Sequence, residues 1–227
     1  MSLAAASTTF WAASTCSSDS PDMSTLTNQP MEMVTAYMGM PPTLFYRPLS
    51  MPPSANDVKT LHDMRVACGW YLDRVPRWIQ EVATNKRFLW FIHFGAPTYS
   101  PGGTVITPQG PAVGMISLYL ENPEDPSLAS YSTTSRVEIT SLFIYASYRH
   151  LGIGSAAIKE MERRAKTFGA THTTFNTMAM ERHLRLFKEE LGYREYKPRS
   201  QMYSVSDVVG AGLPEQYSVA AFLEKAL

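Results

Sequence analysis

Residues 148–157 read YRHLGIGSAA, with an arginine and two glycines spaced R-x-x-G-x-G between a β-branched, apolar run and a helical pattern. Glycine weakens strands and helices alike, so two glycines at such a junction need another reason. A strand that ends there and turns at once into a helix presents free backbone N–H groups at the helix N-terminus, and the glycines let a ligand approach them closely. Such a terminus attracts anions by about 0.3–1 kcal/mol when exposed. Each hydrogen bond to a charged group adds about 1.5–3 kcal/mol, so several together can hold a diphosphate. The alternative is a glycine-rich turn that only permits tight strand-to-helix packing; the flanking strand and amphipathic helix favour the phosphate reading. Two other nucleotide motifs are disfavoured, because no Lys-Ser/Thr follows the glycines and no G-x-G-x-x-G precedes an acidic residue ~20 positions on.

Glu138 stands eleven residues before Arg149 on the same strand-like run. A carboxylate buried there would have its proton affinity raised by desolvation, which suits it to accept protons near neutral pH. The alternative for Glu138 is a strand-end glutamate in a surface ion pair. Cys16 and Cys68 have no neighbours at redox or metal-ligand spacing. His93, within WFIHF, reads as a sheet histidine, and His183 as solvent-facing on a helix. Neither joins a ligand cluster, and no metal is expected.

The elements around these residues follow from periodicity. Residues 1–42 are rich in Ser, Thr, Ala, Met and Pro and read as a low-complexity extension. TLFYRPLS is strand-like, and a helix follows with Ser54 as its cap and Val58, Leu61 and Met64 inward. A second helical stretch spans roughly Gly69 to Asn85. RFLWFIHF (87–94) and AVGMISLYL (112–120) read as strands on either side of a Pro/Gly-rich loop, Gly95 to Pro111. RVEITSLFIYA (136–146) is the strongest strand pattern in the chain. The helix after the glycine motif places Ile158, Met161, Ala165 and Phe168 on one face, with Gly169 as its stop. THTTFNTM is a strand and MERHLRLFKEELG a helix ended by Gly192. YREYK and QMYSV around Pro-Arg-Ser form a closing hairpin, and Pro214 opens a last helix, PEQYSVAAFLEKAL. The order predicts an α+β (mixed α/β) fold with a mixed sheet flanked by helices: a domain over 43–205 between the extension and a tail, 206–227, that carries the last helix.

Twenty Lys and Arg balance twenty Asp and Glu, so no broad field draws the 227-residue chain to nucleic acid or to an anionic membrane. No apolar stretch approaches the ~20 residues that span a bilayer, and residues 1–23 show neither a secretory nor a transit pattern. With so few cysteines, the expectation is a soluble protein of a reducing compartment, cytoplasmic or nuclear.

Between Leu44 and Tyr203 the sequence resembles the GNAT superfamily of acyl-CoA-dependent N-acyltransferases. Its specific part is VEITSLFIYASYRHLGIGSAAIKEMERRA, which looks like that family's pyrophosphate motif with its preceding strand and following helix. The resemblance implies a central twisted sheet of about six to seven strands. It also implies that main-chain groups of Arg149, His150, Leu151, Gly152, Ile153, Gly154 and Ser155 bind the CoA pyrophosphate. Leu142, Phe143 and Ile144 would pair with the pantetheine amides like an added strand. Glu138 matches the general base of the histone-acetyltransferase branch. The chain departs from the family at the general acid: Phe187 stands nearest the usual tyrosine, Lys188 follows, and FKEELGY is one residue longer than usual. Tyr193 or Tyr196 would replace it only with altered local geometry; otherwise both are strand packing residues. Asn176 loosely resembles a CoA-contacting asparagine, with Met180 in the closer alignment.

In this family the acceptor enters between the first two helices and the final hairpin. Trp70, Tyr71, Trp78, Trp90 and Tyr99 are the aromatics that could line that entrance or fill the core. ENPEDP is the only dense acidic patch, which disfavours a lysine-rich acceptor. The leading expectation is acetyl transfer from acetyl-CoA to a small primary amine, by a monomer or homodimer. A protein lysine or N-terminal acetyltransferase and a non-catalytic acyl-CoA-binding module are the alternatives.

Overall fold

A computed structural model describes residues 43–96, 98–100, 105–106, 110–210 and 212–227, with backbone only for 98–99 and 105–106. In chain order the elements are β1 (Leu44–Pro48), α1 (Ala55–Cys68), α2 (Val75–Ala83), β2 (Arg87–Phe94), β3 (Thr98–Tyr99), β4 (Val105–Ile106) and β5 (Gly114–Tyr119). Then come α3 (Tyr131–Thr134), β6 (Arg136–Ile144), α4 (Ile153–Thr167), β7 (His172–Met178), α5 (Glu181–Arg185), β8 (Arg194–Gln201), α6 (Val205–Gly210) and β9 (Val219–Ala226). Seven strands form one sheet in the order β1-β2-β5-β6-β7-β9-β8. Every neighbouring pair is antiparallel except the central β6–β7 pair. The fold is α+β, a seven-stranded mixed sheet with helices on both faces.

Strand alternation assigns those faces. Trp90, Ile92, Ile116, Leu118, Val137, Ile139 and Phe175 point to the side covered by α4 and α5, against Ile158, Met161, Ala165, Leu184 and Phe187. Leu89, Phe91, Met115 and Phe222 point to the other side, against Leu61, Met64 and Trp78 of α1 and α2 and Val208 of α6. On β6 the alternation slips: Val137 and Ile139 face α4, and so do Leu142 and Ile144. The slip is a bulge opposite β5, where Met115 pairs with Phe143 but Ser117 pairs with Thr140. Ser141 absorbs it at φ 55°. Such a bulge bends a strand and increases its local twist.

The helix starts and stops follow local chemistry. The Ser54 hydroxyl accepts the Asp57 N–H at 3.0 Å and caps α1. Gly69, at φ 75°, ends α1 with its N–H on the carbonyls of Arg65 and Val66. The second helical stretch therefore starts late, after a left-handed Tyr71 and a 3-10 turn over Leu72–Arg74. On α4, Ile158, Met161 and Ala165 are buried as the spacing predicts, whereas Phe168 lies past the helix end and is 39% exposed.

Three expectations at the C-terminal end are corrected. PEQYSVAAFLEKAL is no helix: Glu215–Ser218 form a 3-10 turn and Val219–Ala226 are β9. Its alanine-rich apolar run suits either state; insertion between β7 and β8 with both faces covered makes it a strand. The Pro-Arg-Ser stretch does not turn, since Pro198 lies within β8, which forms the sheet's edge and needs no ladder N–H there. The two segments read as a hairpin are thus one strand and its continuation. The last predicted internal helix splits into α5 and a π-helical turn over Leu186–Glu190. That wide turn accommodates the extra residue of FKEELGY. The loop at 95–111 also holds the short β3–β4 hairpin. The reading of residues 1–42 and Cys16, and the Tyr99 side chain, lie outside the described residues.

Gly114 shows how tightly β5 and β6 meet at the bulge. A Cβ there would lie 2.3 Å from the Phe143 carbonyl oxygen and 2.6 Å from Ile144 Cδ1. Gly114→Ala is expected to lower stability by about 1–3 kcal/mol, the usual cost of overpacking. Chemical denaturation would read it, and an unchanged midpoint would show that β6 can shift freely there.

Candidate active site

The parallel ladder between β6 and β7 is short. Arg136 pairs with His172, Val137 with Thr173 and Glu138 with Thr174. Beyond Glu138 the strands part, and Leu142 to Ile144 keep strand pairing only toward β5, as Met115 with Phe143 and Gly114 with Ile144. The β6 edge that faces β7 therefore has no ladder partner over Leu142 to Ile144, and it leads to the turn that starts α4.

That turn follows β6 directly. Tyr145 leads into a 3-10 turn, Ala146–Tyr148. The Arg149 side chain returns to the strand end, donating from Nε to the Ile144 carbonyl at 3.0 Å. Its backbone N–H bonds the Ala146 carbonyl at 3.2 Å. His150 (φ 64°) and Gly152 (φ 75°) both adopt left-handed conformations. Gly152 is the N-cap of α4 and gives the first amides of the helix, at Ile153, Gly154 and Ser155, no side-chain cap. A Cβ at Gly152 would meet nothing within 4 Å. Open space over uncapped helical amides fits a diphosphate. Of the stretch 149–155, Arg149 braces the strand and the residues from Gly152 onward form the start of α4.

Glu138 sits where the strands part, on the α1/α2 side, and is fully buried. Asn176, two residues beyond Thr174 on the same face of β7, donates from Nδ2 to Glu138 Oε1 at 2.6 Å. Glu138 Oε2 has no hydrogen-bond partner. Burial pushes the Glu138 pKa up to about 8, with Asp125 adding to the rise, while Arg87, Asn122 and Asn176 pull it down. The surface ion pair weighed for this residue does not occur. Asn176 is likewise fully buried and serves the carboxyl.

Arg87 is the charge nearest in influence to that carboxyl, and it is held in a buried network. It bonds Glu81 at 2.8 Å, Ser117 Oγ at 2.8 Å and, at the bulge, Ser141 Oγ at 3.3 Å. Its guanidinium lies 4.6 Å from the Tyr119 ring and 5.3 Å from that of Trp78. Glu81 also takes Arg77 Nε at 2.8 Å and the Tyr119 hydroxyl at 3.2 Å. Burial alone would raise Glu81; Arg87 and Arg77 outweigh it and hold the carboxyl below its ordinary range.

The remaining candidates fall elsewhere. Tyr193 is buried on the α4 side, its hydroxyl 3.2 Å from Thr173 Oγ1, so the sheet separates it from Glu138. The Phe187 ring lies tilted against Phe175 at 4.4 Å and edge-on to Tyr193 at 6.2 Å as part of the same core. Tyr196 bonds the Ser127 carbonyl from β8 at 3.0 Å. Trp70, Trp78 and Trp90 are buried, and Tyr71 is half-buried beside Trp70. His93 is buried in its strand, with neither ring nitrogen hydrogen-bonded among the described residues as a satisfied sheet histidine would be; His183 is not solvent-facing but buried, and desolvation pushes its pKa down to about 4. Its helix is covered on that side, which five residues of pattern could not show. Sequence reading missed Arg87, Glu81 and Tyr203 because their partners lie 6 to 54 residues away, at the distances only the sheet brings together. Among the described residues, no group of three or more His, Cys, Asp or Glu could hold a metal, and no helix is long and apolar enough to cross a membrane.

A model of the acetyltransferase (GNAT) family matches residues 69–193, from the end of α1 to the start of β8. The chain belongs to that family. No curated protein matches it. Among solved structures it is similar to the NatC complex bound to Gag peptide and CoA (12% identity, TM-score 0.54, 81% of this chain and 98% of that one). It is also similar to the IAA acetyltransferase from Bacillus cereus (12%, TM-score 0.51, 82% and 100%) and to aminoglycoside 6'-acetyltransferase type Ii (15%, TM-score 0.51, 81% and 96%). At these identities the likeness is one of fold.

The raised pKa of Glu138 has a thermodynamic sign. The unfolded glutamate releases its proton near its ordinary 4.5 and the folded one near 8, so the stability it contributes is complete below 4.5 and is lost as pH rises to 8. Glu138→Gln, which mimics the protonated form, is expected to melt with the parent at acid pH and above it at alkaline pH. Equal melting temperatures across the whole range would mean that the carboxyl is not desolvated.

Proposed function

We propose that this chain transfers an acetyl group from acetyl-CoA to the primary amine of a small molecule, with Glu138 as general base. The observation that carries the reading is a fully buried carboxyl with one unpartnered oxygen, set where the two central strands part. Acetyl-CoA supplies an acyl group already activated as a thioester. The amides of Ile153, Gly154 and Ser155 at the Gly152 turn hold its diphosphate, and the edge of β6 from Leu142 to Ile144 lines its pantetheine arm.

Glu138, once ionised, takes from the acceptor's ammonium the proton that masks its lone pair, at the oxygen that has no partner. Its pKa near 8 lies close enough to that of an amine for efficient transfer, and general-base help of this kind is worth about 10²–10⁴ in rate. Orientation of the bound reactants can supply a further ~7–11 kcal/mol. Tyr193 has no part in this scheme. A thiolate, with a parent pKa of about 8.5, departs without an obligatory acid and then takes up the second proton, which the nitrogen sheds as it becomes an amide.

The acidic connection between β5 and β6 supports a small acceptor over a polycationic one. Glu124 pairs with Arg77 at 3.2 Å and Asp125 with Lys197 at 2.5 Å, and Glu121 caps the Ser132 N–H at 2.7 Å. Its carboxylates are thus committed within the fold.

Glu138→Gln is expected to lower kcat by about 10²–10³ with little change in KM for acetyl-CoA, measured as CoA release over a panel of amines, amino acids and peptides. In the parent, kcat/KM should rise with pH through about 8, since the base must be ionised. Gly152→Val with Gly154→Val should abolish CoA binding by calorimetry while the circular dichroism stays native. Full turnover in Glu138→Gln would remove the base assignment, and retained affinity in the double variant would remove the diphosphate cradle.

A further inference from the structure

Behind Glu138 a line of buried hydrogen bonds runs to the segment after β8. Asn176 Nδ2 donates to Glu138 Oε1 at 2.6 Å, and the Tyr203 hydroxyl donates to Asn176 Oδ1 at 3.4 Å. None of the three side chains is more than 3% exposed. Tyr203 is placed there by the 3-10 turn that leads into β9: its backbone N–H bonds the Ser218 carbonyl at 3.1 Å, and its ring packs in the core on the α1/α2 side.

A carboxamide presents an acceptor oxygen and a donor NH2 of nearly the same shape. A carboxylate only accepts, whereas a protonated carboxyl also donates. Asn176 could therefore turn either end to Glu138 according to its charge, unless its far end were held. A phenol that donates to Oδ1 holds it. Burial, with Tyr71 and Glu138 nearby, pushes the Tyr203 phenol well above its ordinary pKa, so it remains a donor throughout the range in which Glu138 titrates.

We propose that Tyr203 is a positioning residue: by donating to Asn176 Oδ1 it keeps the Asn176 NH2 turned toward Glu138 and so favours the ionised carboxylate. The proposal rests on Glu138 as the proton acceptor of the reaction above. Four further side chains act on Glu138: Arg87 from β2 and Asn122 favour its charge, Asp125 opposes it, and Tyr196 of β8 lies near as a neutral phenol. Tyr203→Phe alters none of them, so a change in the Glu138 midpoint reports the line through Asn176.

The midpoint can be read without any acceptor, in the full chain labelled with carboxyl-13C glutamate, the Glu138 resonance being assigned by its loss in Glu138→Gln. Tyr203→Phe should raise the midpoint by about half a unit, and Asn176→Leu by about one unit or more, the loss of a direct hydrogen bond to a charged group. Adding Tyr203→Phe to Asn176→Leu should give no further rise. The pH profile of kcat should move with the midpoint in Tyr203→Phe, with KM for acetyl-CoA unchanged. If melting shows that Tyr203→Phe fails to fold, 3-fluorotyrosine placed at position 203, a stronger donor, should lower the midpoint instead. An unmoved midpoint in the variant examined, or an equal shift once Asn176 is gone, overturns the proposal. A midpoint that moves as stated while Glu138→Gln keeps full turnover leaves the coupling standing and removes the base assignment, so the two failures are distinct.

Discussion

Two parallel strands cannot keep a ladder once one of them bends, and β6 bends at the Ser141 bulge. Pairing with β7 ends at Glu138, the chain beyond it leans on β5 through the contact that Gly114 permits, and the strand edge so freed leads straight to the uncapped start of α4. The early end of the central ladder, the unpaired edge beyond it and the buried carboxyl where it stops gather around one irregularity in one strand. Remove the bulge and the residues from Leu142 on would change faces.

An irregular strand at the centre of a sheet must be held in place. Arg87 does this from two strands away, reaching Ser117 on β5 and Ser141 at the bulge while Glu81 balances its charge. Buried ion pairs are weak contributors to net stability, but breaking one by removing a partner costs about 3–5 kcal/mol, so the arrangement fixes a geometry more than it strengthens the fold. The same guanidinium tempers the proton affinity of Glu138, which desolvation alone would carry higher. Support for the strand and tuning of the carboxyl thus come from a single charge.

The sequence made legible whatever is local. RFLWFIHF coincides with β2, and RVEITSLFIYA overruns β6 by only its last two residues, because β-branched and aromatic residues fill both faces of central strands. The Ser54 cap, the Gly169 and Gly192 stops and the open turn at Gly152 were readable from residue type alone, and the surplus residue of FKEELGY reappears as a π turn. What was not legible depends on distant partners. Val219–Ala226 carries a pattern that suits a helix until β7 and β8 flank it. Tyr193 and Tyr203 are both tyrosines beside the last strands, yet the sheet puts one on the α4 side with Thr173 and the other on the Glu138 side with Asn176. No spacing rule distinguishes them, because β8 is an irregular edge whose register against β9 shifts twice.

The central claim is that bare amides at the β6–α4 turn and the free edge of β6 together receive CoA. Nitrogen-15 correlation spectra of the full chain titrated with CoA test it most directly. The amides of Gly152, Ile153, Gly154 and Ser155 should shift most, followed by those of Leu142 to Ile144, saturating with a single affinity. Shifts confined to other elements, or none at the turn at saturating CoA, would contradict the account.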